Sequence, residues 1–323
     1  FWNASVRPSR SRSDASRVGP DTTKPHSPVR TCMTEQSQQA AAGTPEGQGP
    51  VEISQETADR LASERESLFE KFEIPDAFPP EVMEEAEART EDVTAEIEAE
   101  VEDRRDLREM TTWTTDPIDA QDFDDAISVE EHEDEYVLWV HIADVTHYVT
   151  PDTTMWDEAL RRANTVYLPG YTVHMLPPML AEPVCSLVPD EDRLAHTVEM
   201  HLDKETLGYD NIEIYKSVIR SDERLTYTEC EDRLDDENSD MHAEIQLSYD
   251  LADRMHEQRK ADGSLVLNPR RDRAHTIIEE SMLKANKAVT HTLMWDRGLE
   301  AVYRVHPQPT PAQWSDALRE IQE

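Results

Sequence analysis
The sequence predicts an α+β (mixed α/β) domain preceded by an acidic helical lead-in. Three observations carry that expectation. Apolar strand-like runs alternate with amphipathic helical ones after Trp113, a thinly apolar acidic stretch lies before them, and the composition breaks sharply at Met33. Strands and helices mixed in this way bury their apolar faces as a sheet layered with helices. The 323 residues are enough for one large domain or two ordinary ones.

Taken in order, residues 1–32 hold five Arg and one Lys against two Asp, while the remainder is strongly acidic. Pro8, Pro20, Pro25 and Pro28 interrupt any amphipathic helix there, so a transit peptide is disfavoured and Met33 is the expected natural start. Residues 33–50 are a polar Gln/Ala/Gly/Pro tract, and 1–50 as a whole reads as a disordered extension and linker. Residues 51–110 form the lead-in. The string SQETADRLASERESLFEKF starts a helix near Ser54 and sets Leu61, Leu68 and Phe72 near one face. Pro75, Pro79 and Pro80 break it, and VMEEAEA begins a second helix. The apolar stripe is thin, which suits a solvated lead-in resting on the next domain better than a coiled coil. In residues 111–323, strands are expected at Tyr136–Val145, Thr197–Leu202 and Ile212–Ile219. Helices are expected at Thr154–Ala163, Asp240–Gln258, Ala274–Met294 and Pro311–Ile321.

The formal net charge is −38, with only seven Lys among the basic residues. Disorder does not explain it, because YVLWVHIADV from Tyr136 is a buried-strand pattern. An acidic tail does not either, because the charge is spread from Glu52 to Glu323. A surface adapted to molar salt does, since at about 1 M the screening length falls to roughly 3 Å. The expectation is a halophile's cytoplasmic protein. In such salt a negative surface no longer argues against a nucleic-acid partner, because phosphate contacts add little affinity there anyway. No run approaches the roughly 18 apolar residues of a membrane helix. Three Cys, at 32, 185 and 230, give neither a disulfide framework nor a zinc spacing.

The densest chemistry is TTDPIDAQDFDDAISV, Thr114 to Val129, which gathers Asp116, Asp119, Asp122, Asp124 and Asp125. In so acidic a chain a solvated loop is an ordinary outcome. Flanking Pro117, Phe123, Ala126 and Ile127 point instead to a partly buried turn, where unpaired carboxylates repel and are costly. Converging short carboxylates suit a hard cation such as Mg²⁺, and such ions serve phosphoryl chemistry. An EF-hand is excluded, since the central Gly and closing Glu are missing. The residues alone leave a surface loop and a Mg²⁺ site both open.

That string resembles the motif of the ribonuclease II / ribonuclease R (RNB) family. The likeness continues in order through HIADVTHYV (His141–Val149), YLPG (Tyr167–Gly170), MLP (Met175–Pro177), CSL (Cys185–Leu187) and DRL (Asp192–Leu194). It extends through SVIR (Ser217–Arg220), LTY (Leu225–Tyr227), AHTIIEESMLKAN (Ala274–Asn286) and YRVH (Tyr303–His306), with FPPEVMEEAEA and DLRE in the approach. The resemblance implies an RNB-type exoribonuclease of haloarchaeal type. It would act processively and 3′-to-5′ on single-stranded RNA, releasing nucleoside 5′-monophosphates with Mg²⁺, or Mn²⁺ in its place. By position, Asp116, Asp122, Asp124 and Asp125 would hold metal, and Asp124 would orient the attacking water. Glu279 would be catalytic, and Tyr167 would pack on the terminal nucleotides.

His141 and His147 read as structural, and Cys185 as a small core residue. Leu267 stands where relatives often carry a stacking Phe. Residues 33–110 lack the strand and aromatic signals of cold-shock barrels. The sequence ends at Glu323, short of the family's Arg-rich segment, so the expected catalytic domain is incomplete, truncated at the C-terminus. The expected partner is single-stranded RNA, with no membrane and no disulfide partner. Two other readings stand beside the enzyme: a catalytically impaired RNA-binding or scaffold remnant, and another Mg²⁺ phosphohydrolase.

Overall fold
A computed structural model describes residues 55–120, 122–168, 171–264, 272–300 and 309–322. The expected 1–50 extension, Met33, Ser54, the Pro169–Gly170 pair, Leu267 and Tyr303–His306 lie outside the described residues.

The lead-in is helical: α1 (Gln55–Phe72), α2 (Pro80–Thr90) and α3 (Val93–Glu100). Proline opens α2 at its first position, where a missing N–H costs nothing, and Asp92 caps α3 through the Ala95 amide. Next come β1 (Arg105–Asp106), β2 (Trp113–Asp116), β3 (Asp125–Glu131) and β4 (Glu135–Ala143). A single turn, α4 (Val145–Tyr148), and α5 (Thr154–Arg162) lead to a two-stranded ribbon, β5 (Val166–Leu168) and β6 (Tyr171–Val173). After the short α6 (Pro178–Leu180) run the long strands β7 (Asp192–Asp203) and β8 (Tyr209–Arg220), then β9 (Glu223–Thr226). Four helices close the order: α7 (Tyr227–Asp235), α8 (His242–Ala261), α9 (Arg273–His291) and α10 (Pro311–Gln322).

Seven strands make one mixed sheet in the order β1-β8-β7-β4-β3-β2-β9. Its centre, β3-β4-β7-β8, is antiparallel, whereas β1 and β9 pair in parallel at the two edges. Alternation along the strands sends side chains to two faces. One face carries Trp113, Ile127, Leu138, Val140 and Met200 against Ile245 and Leu251 of α8 and Ile277 of α9. The other carries Ala126, Ala143, Leu194 and Val218 against Val82 and Ala86 of α2, Ile97 of α3, and Tyr148, Met155 and Leu180. The lead-in is therefore part of a core, although Phe72 at the end of α1 is exposed.

The mixed α+β class agrees with expectation. The second and third expected strands are longer than the pattern implied, as β7 and β8 show, and the first ends at Ala143, where the buried Asp144 pairs with Arg104 (2.8 Å). Five short strands, β1, β2, β5, β6 and β9, carry too few residues to show a period. Among the described residues no helix is long and apolar enough to cross a membrane, and Cys185 and Cys230 are buried free thiols.

Candidate active site
The acidic turn joins β2 to β3. Asp116 is the last residue of β2 and Asp125 the first of β3, so the sheet fixes both ends. Between them the backbone is pinned by neighbours. Phe123 N–H donates to Ser186 Oγ (2.9 Å), Leu187 N–H to the Phe123 carbonyl (2.9 Å), and Ala143 N–H to the Asp124 carbonyl (3.0 Å). From the edge strand β9, Arg224 reaches across β2, donates to the Pro117 carbonyl (2.6 Å) and lies over the Phe123 ring at 5.1 Å. A turn rich in like charges is thus held largely through its backbone, with Arg224 the one cation among these contacts.

The electrostatics follow from that crowding. Burial and then the neighbouring Asp125 push the Asp116 carboxyl up to about 7, against the charge of Arg224. Burial and Asp124 push Asp125 up to about 6. Asp124 reaches solvent, yet the packing around it and the charge of Asp122 raise its carboxyl as well. Asp116 Oδ2 is buried with no hydrogen-bond partner among the described residues. Four of the expected site residues, Asp116, Asp122, Asp124 and Asp125, therefore form one coupled neighbourhood.

Tyr167, in β5, is 73% exposed, and its phenol is raised by partial burial and by Asp122 and Asp124. Tyr167 thus lies within electrostatic reach of Asp122 and Asp124. Glu279 sits on α9 and accepts from Arg259 Nη2 of α8 at 3.2 Å. The next residue, Glu280, is buried between His256 (2.8 Å) and the same Arg259. Arg224, Ser186 and Arg259 were not singled out from the sequence. Their signal was adjacency: Arg224 precedes LTY, and Ser186 is the middle of CSL.

The histidines have structural partners. His141 is fully buried between Ser128 Oγ (3.2 Å) and Thr197 Oγ1 (2.8 Å), and burial pushes its imidazole down to about 3. His147 meets Glu96 at 3.0 Å and Arg104 at 3.4 Å.

The donor chemistry fits a hard divalent cation: only carboxylate oxygens, a stranded buried oxygen, and one arginine facing the charge of several acids. Among the described residues no three carboxylate, imidazole or thiol groups are drawn together closely enough to enclose an ion by themselves. That is compatible with Mg²⁺, which is commonly held through one or two carboxylates, with waters and substrate phosphate completing its shell.

The model of the RNB domain matches residues 104–323, which takes in the acidic turn, the ribbon and α9. The chain belongs to the RNB family. Ribonuclease R of Aquifex aeolicus is 36% identical over 268 residues, covering 75% of this chain and 37% of that protein. Ribonuclease R of Chlamydia muridarum is 35% identical over 262 residues, 74% of this chain and 37% of the relative. The chain thus spans about 37% of the length of these relatives. Among solved structures, Mycoplasma genitalium RNase R in complex with ribose methylated single-stranded RNA superposes with a TM-score of 0.71 at 25% identity, covering 82% of this chain and 44% of that one. The same enzyme in complex with double-stranded RNA gives 0.72 at 26%, covering 82% and 50%. Yeast Ssd1, a pseudonuclease, shares the RNB fold at 0.59 and 19% identity over 69% of this chain and 30% of its own, a likeness of fold alone.

Proposed function
We propose that this RNB chain carries a 3′-to-5′ exoribonuclease site that hydrolyses single-stranded RNA to nucleoside 5′-monophosphates in the cytoplasm of a salt-adapted cell. The observation that supports it best is the pinned acidic turn, in which Asp116, Asp124 and Asp125 are partly desolvated within electrostatic reach of one another and their carboxyls are all raised. Such a cluster is costly unless a cation or a catalytic role compensates it.

Asp116, Asp122, Asp124 and Asp125 would hold Mg²⁺, or Mn²⁺ in its place. When bound, the ion supplies Lewis-acid stabilisation of the charge that builds on the phosphodiester oxygens. Asp124, open to solvent, accepts a hydrogen bond from the attacking water and orients it toward phosphorus. Tyr167 packs its exposed ring on a terminal base; such stacking contributes about 1–3 kcal/mol with little sequence preference, as a processive exonuclease needs. Glu279, held by Arg259, acts from α9 on the same substrate end. Arg224 keeps Pro117 and Phe123 in place and so fixes the turn.

The other reading is a catalytically impaired RNA-binding or scaffold remnant. The two separate in one assay: 5′-labelled single-stranded RNA in molar KCl, with Mg²⁺ or with EDTA. A ladder shortening from the 3′ end only with metal supports the enzyme. RNA that is bound but never shortened would support the remnant.

A further inference from the structure
The ribbon that carries Tyr167 has two faces, and they meet different parts of the chain. In β5-β6 the register pairs Tyr167 with Thr172 and Leu168 with Tyr171. Side chains alternate across a strand, so Tyr171 lies on the face opposite Tyr167. On that face the lead-in takes hold. Phe69 of α1 packs against the Tyr171 ring with centroids 6.0 Å apart, and the Arg65 guanidinium lies 4.2 Å from its centroid. Tyr171 donates its hydroxyl proton to Asp76 Oδ1 at 2.7 Å, just beyond α1.

A second clamp lies at the base of the ribbon. The buried Arg162, last residue of α5, donates to the carbonyls of Pro75 (3.2 Å), Ala77 (2.7 Å) and His174 (3.1 Å). Its guanidinium stacks on Phe78 at 3.7 Å and is neutralised by Glu158 at 2.7 Å. One side chain thus ties the lead-in at residues 75–78 to the residue that follows β6. An isolated two-stranded ribbon is only marginally stable in water and needs a partner to hold it.

We propose that the acidic lead-in is a positioning element: through Arg65, Phe69 and Asp76, and through the Arg162 clamp, it holds the ribbon so that Tyr167 stands beside the acidic turn and grips the 3′-terminal nucleotide. The inference rests on the reading of Tyr167 as a nucleotide-stacking residue. Arg65, Phe69, Asp76 and Arg162 touch no substrate; they act through Tyr167. Charge enters as well, because the same segment that grips the ribbon is dense in Glu, so loosening it at low salt would loosen the grip on RNA.

The test uses the full chain with two surface variants, the double change Arg65→Ala with Phe69→Ala, and Tyr171→Phe. Arg162 is left alone because its replacement endangers the fold. Hydrogen exchange is followed at the amides of Val166–Leu168 and Tyr171–Val173, with the β4 and β7 amides as an internal control. Single-stranded RNA bearing 2-aminopurine as its 3′-terminal base is then titrated in EDTA, where quenching reports stacking without hydrolysis, and Tyr167→Ala is run alongside. The expected result is exchange about tenfold faster in the ribbon alone, together with loss of most of the quench and a fall in RNA affinity no larger than that of Tyr167→Ala. Unchanged ribbon exchange in both variants overturns the proposal. So does faster exchange with an intact quench when Tyr167→Ala has lost it, which leaves the Tyr167 reading standing. An intact quench in Tyr167→Ala instead overturns the stacking reading itself, and the proposal with it.

Discussion
Asp116 shows what the acidic turn costs. Its carboxyl is pushed up to about 7 by burial and by Asp125, against an ordinary value of 3.8. A raised acid favours the fold while protonated. Its contribution is therefore fully present below about pH 3.8 and is lost as the pH rises through about 7. Without metal and at pH 8, Asp116→Asn is expected to stabilise the protein by about 0.5–2 kcal/mol, while hydrolysis of RNA collapses. Urea unfolding in EDTA at pH 8 and pH 5 measures this, and the gain should shrink at pH 5. A variant less stable than the wild type at pH 8 would mean that the charge is compensated within the fold. The Asp cluster stands out in the sequence as side chains, and Tyr167 only through the family resemblance, whereas Arg224 and Ser186 act through backbone carbonyls and amides, which leave no pattern in a single sequence.

At the scale of elements, the sheet is tied across its strands by buried polar groups. Thr112 Oγ1 meets Ser128 Oγ (2.8 Å), His141 bridges Ser128 and Thr197, and Thr197 Oγ1 meets Ser217 Oγ (2.6 Å). Burial holds His141 neutral, with its imidazole pushed down to about 3 from 6.5. A depressed histidine contributes stability that is present above the unfolded value and is lost as the pH falls toward the folded one. Between about pH 6.5 and 5 His141 contributes a slope of up to about 1.4 kcal/mol per pH unit, opposed in the same window by the raised carboxyls of Asp116 and Asp125. His141→Gln is therefore expected to lower the slope of stability against pH by up to that amount relative to the wild type in urea unfolding series; an unchanged slope would show that the imidazole is already protonated in the fold. Legibility also divides by element. The long strands β4, β7 and β8 and the helices α5, α8 and α9 show their periods, while β1, β2 and β9 span two to four residues and pair with distant segments. Parallel edge pairing depends on where those segments end up, which no local pattern records.

For the whole molecule, the dominant quantity is the net charge of −38. The structure spreads the basic groups into ion pairs such as Arg108–Asp192 (2.9 Å) and Arg273–Glu231 (2.8 Å) and leaves many acids facing water. In dilute buffer, charges repel over roughly 30 Å at 0.01 M salt, whereas at 1 M the range is about 3 Å. Circular dichroism should therefore show a cooperative fold in molar KCl that weakens progressively as the salt is removed. Equal folding at both extremes would contradict the reading of the acidity as a salt adaptation. The lead-in should respond first, because α1 turns exposed acids such as Glu66 and Glu70 to the solvent.

The most direct measurement compares this chain with its Asp124→Asn variant on 5′-labelled single-stranded RNA in molar KCl with Mg²⁺, with RNA affinity measured in parallel. The expected result is a 3′-shortening ladder for the wild type and a loss of about 10²–10³-fold or more in the variant, at similar affinity. Equal shortening by both proteins would contradict the assignment of the acidic turn as the hydrolytic site.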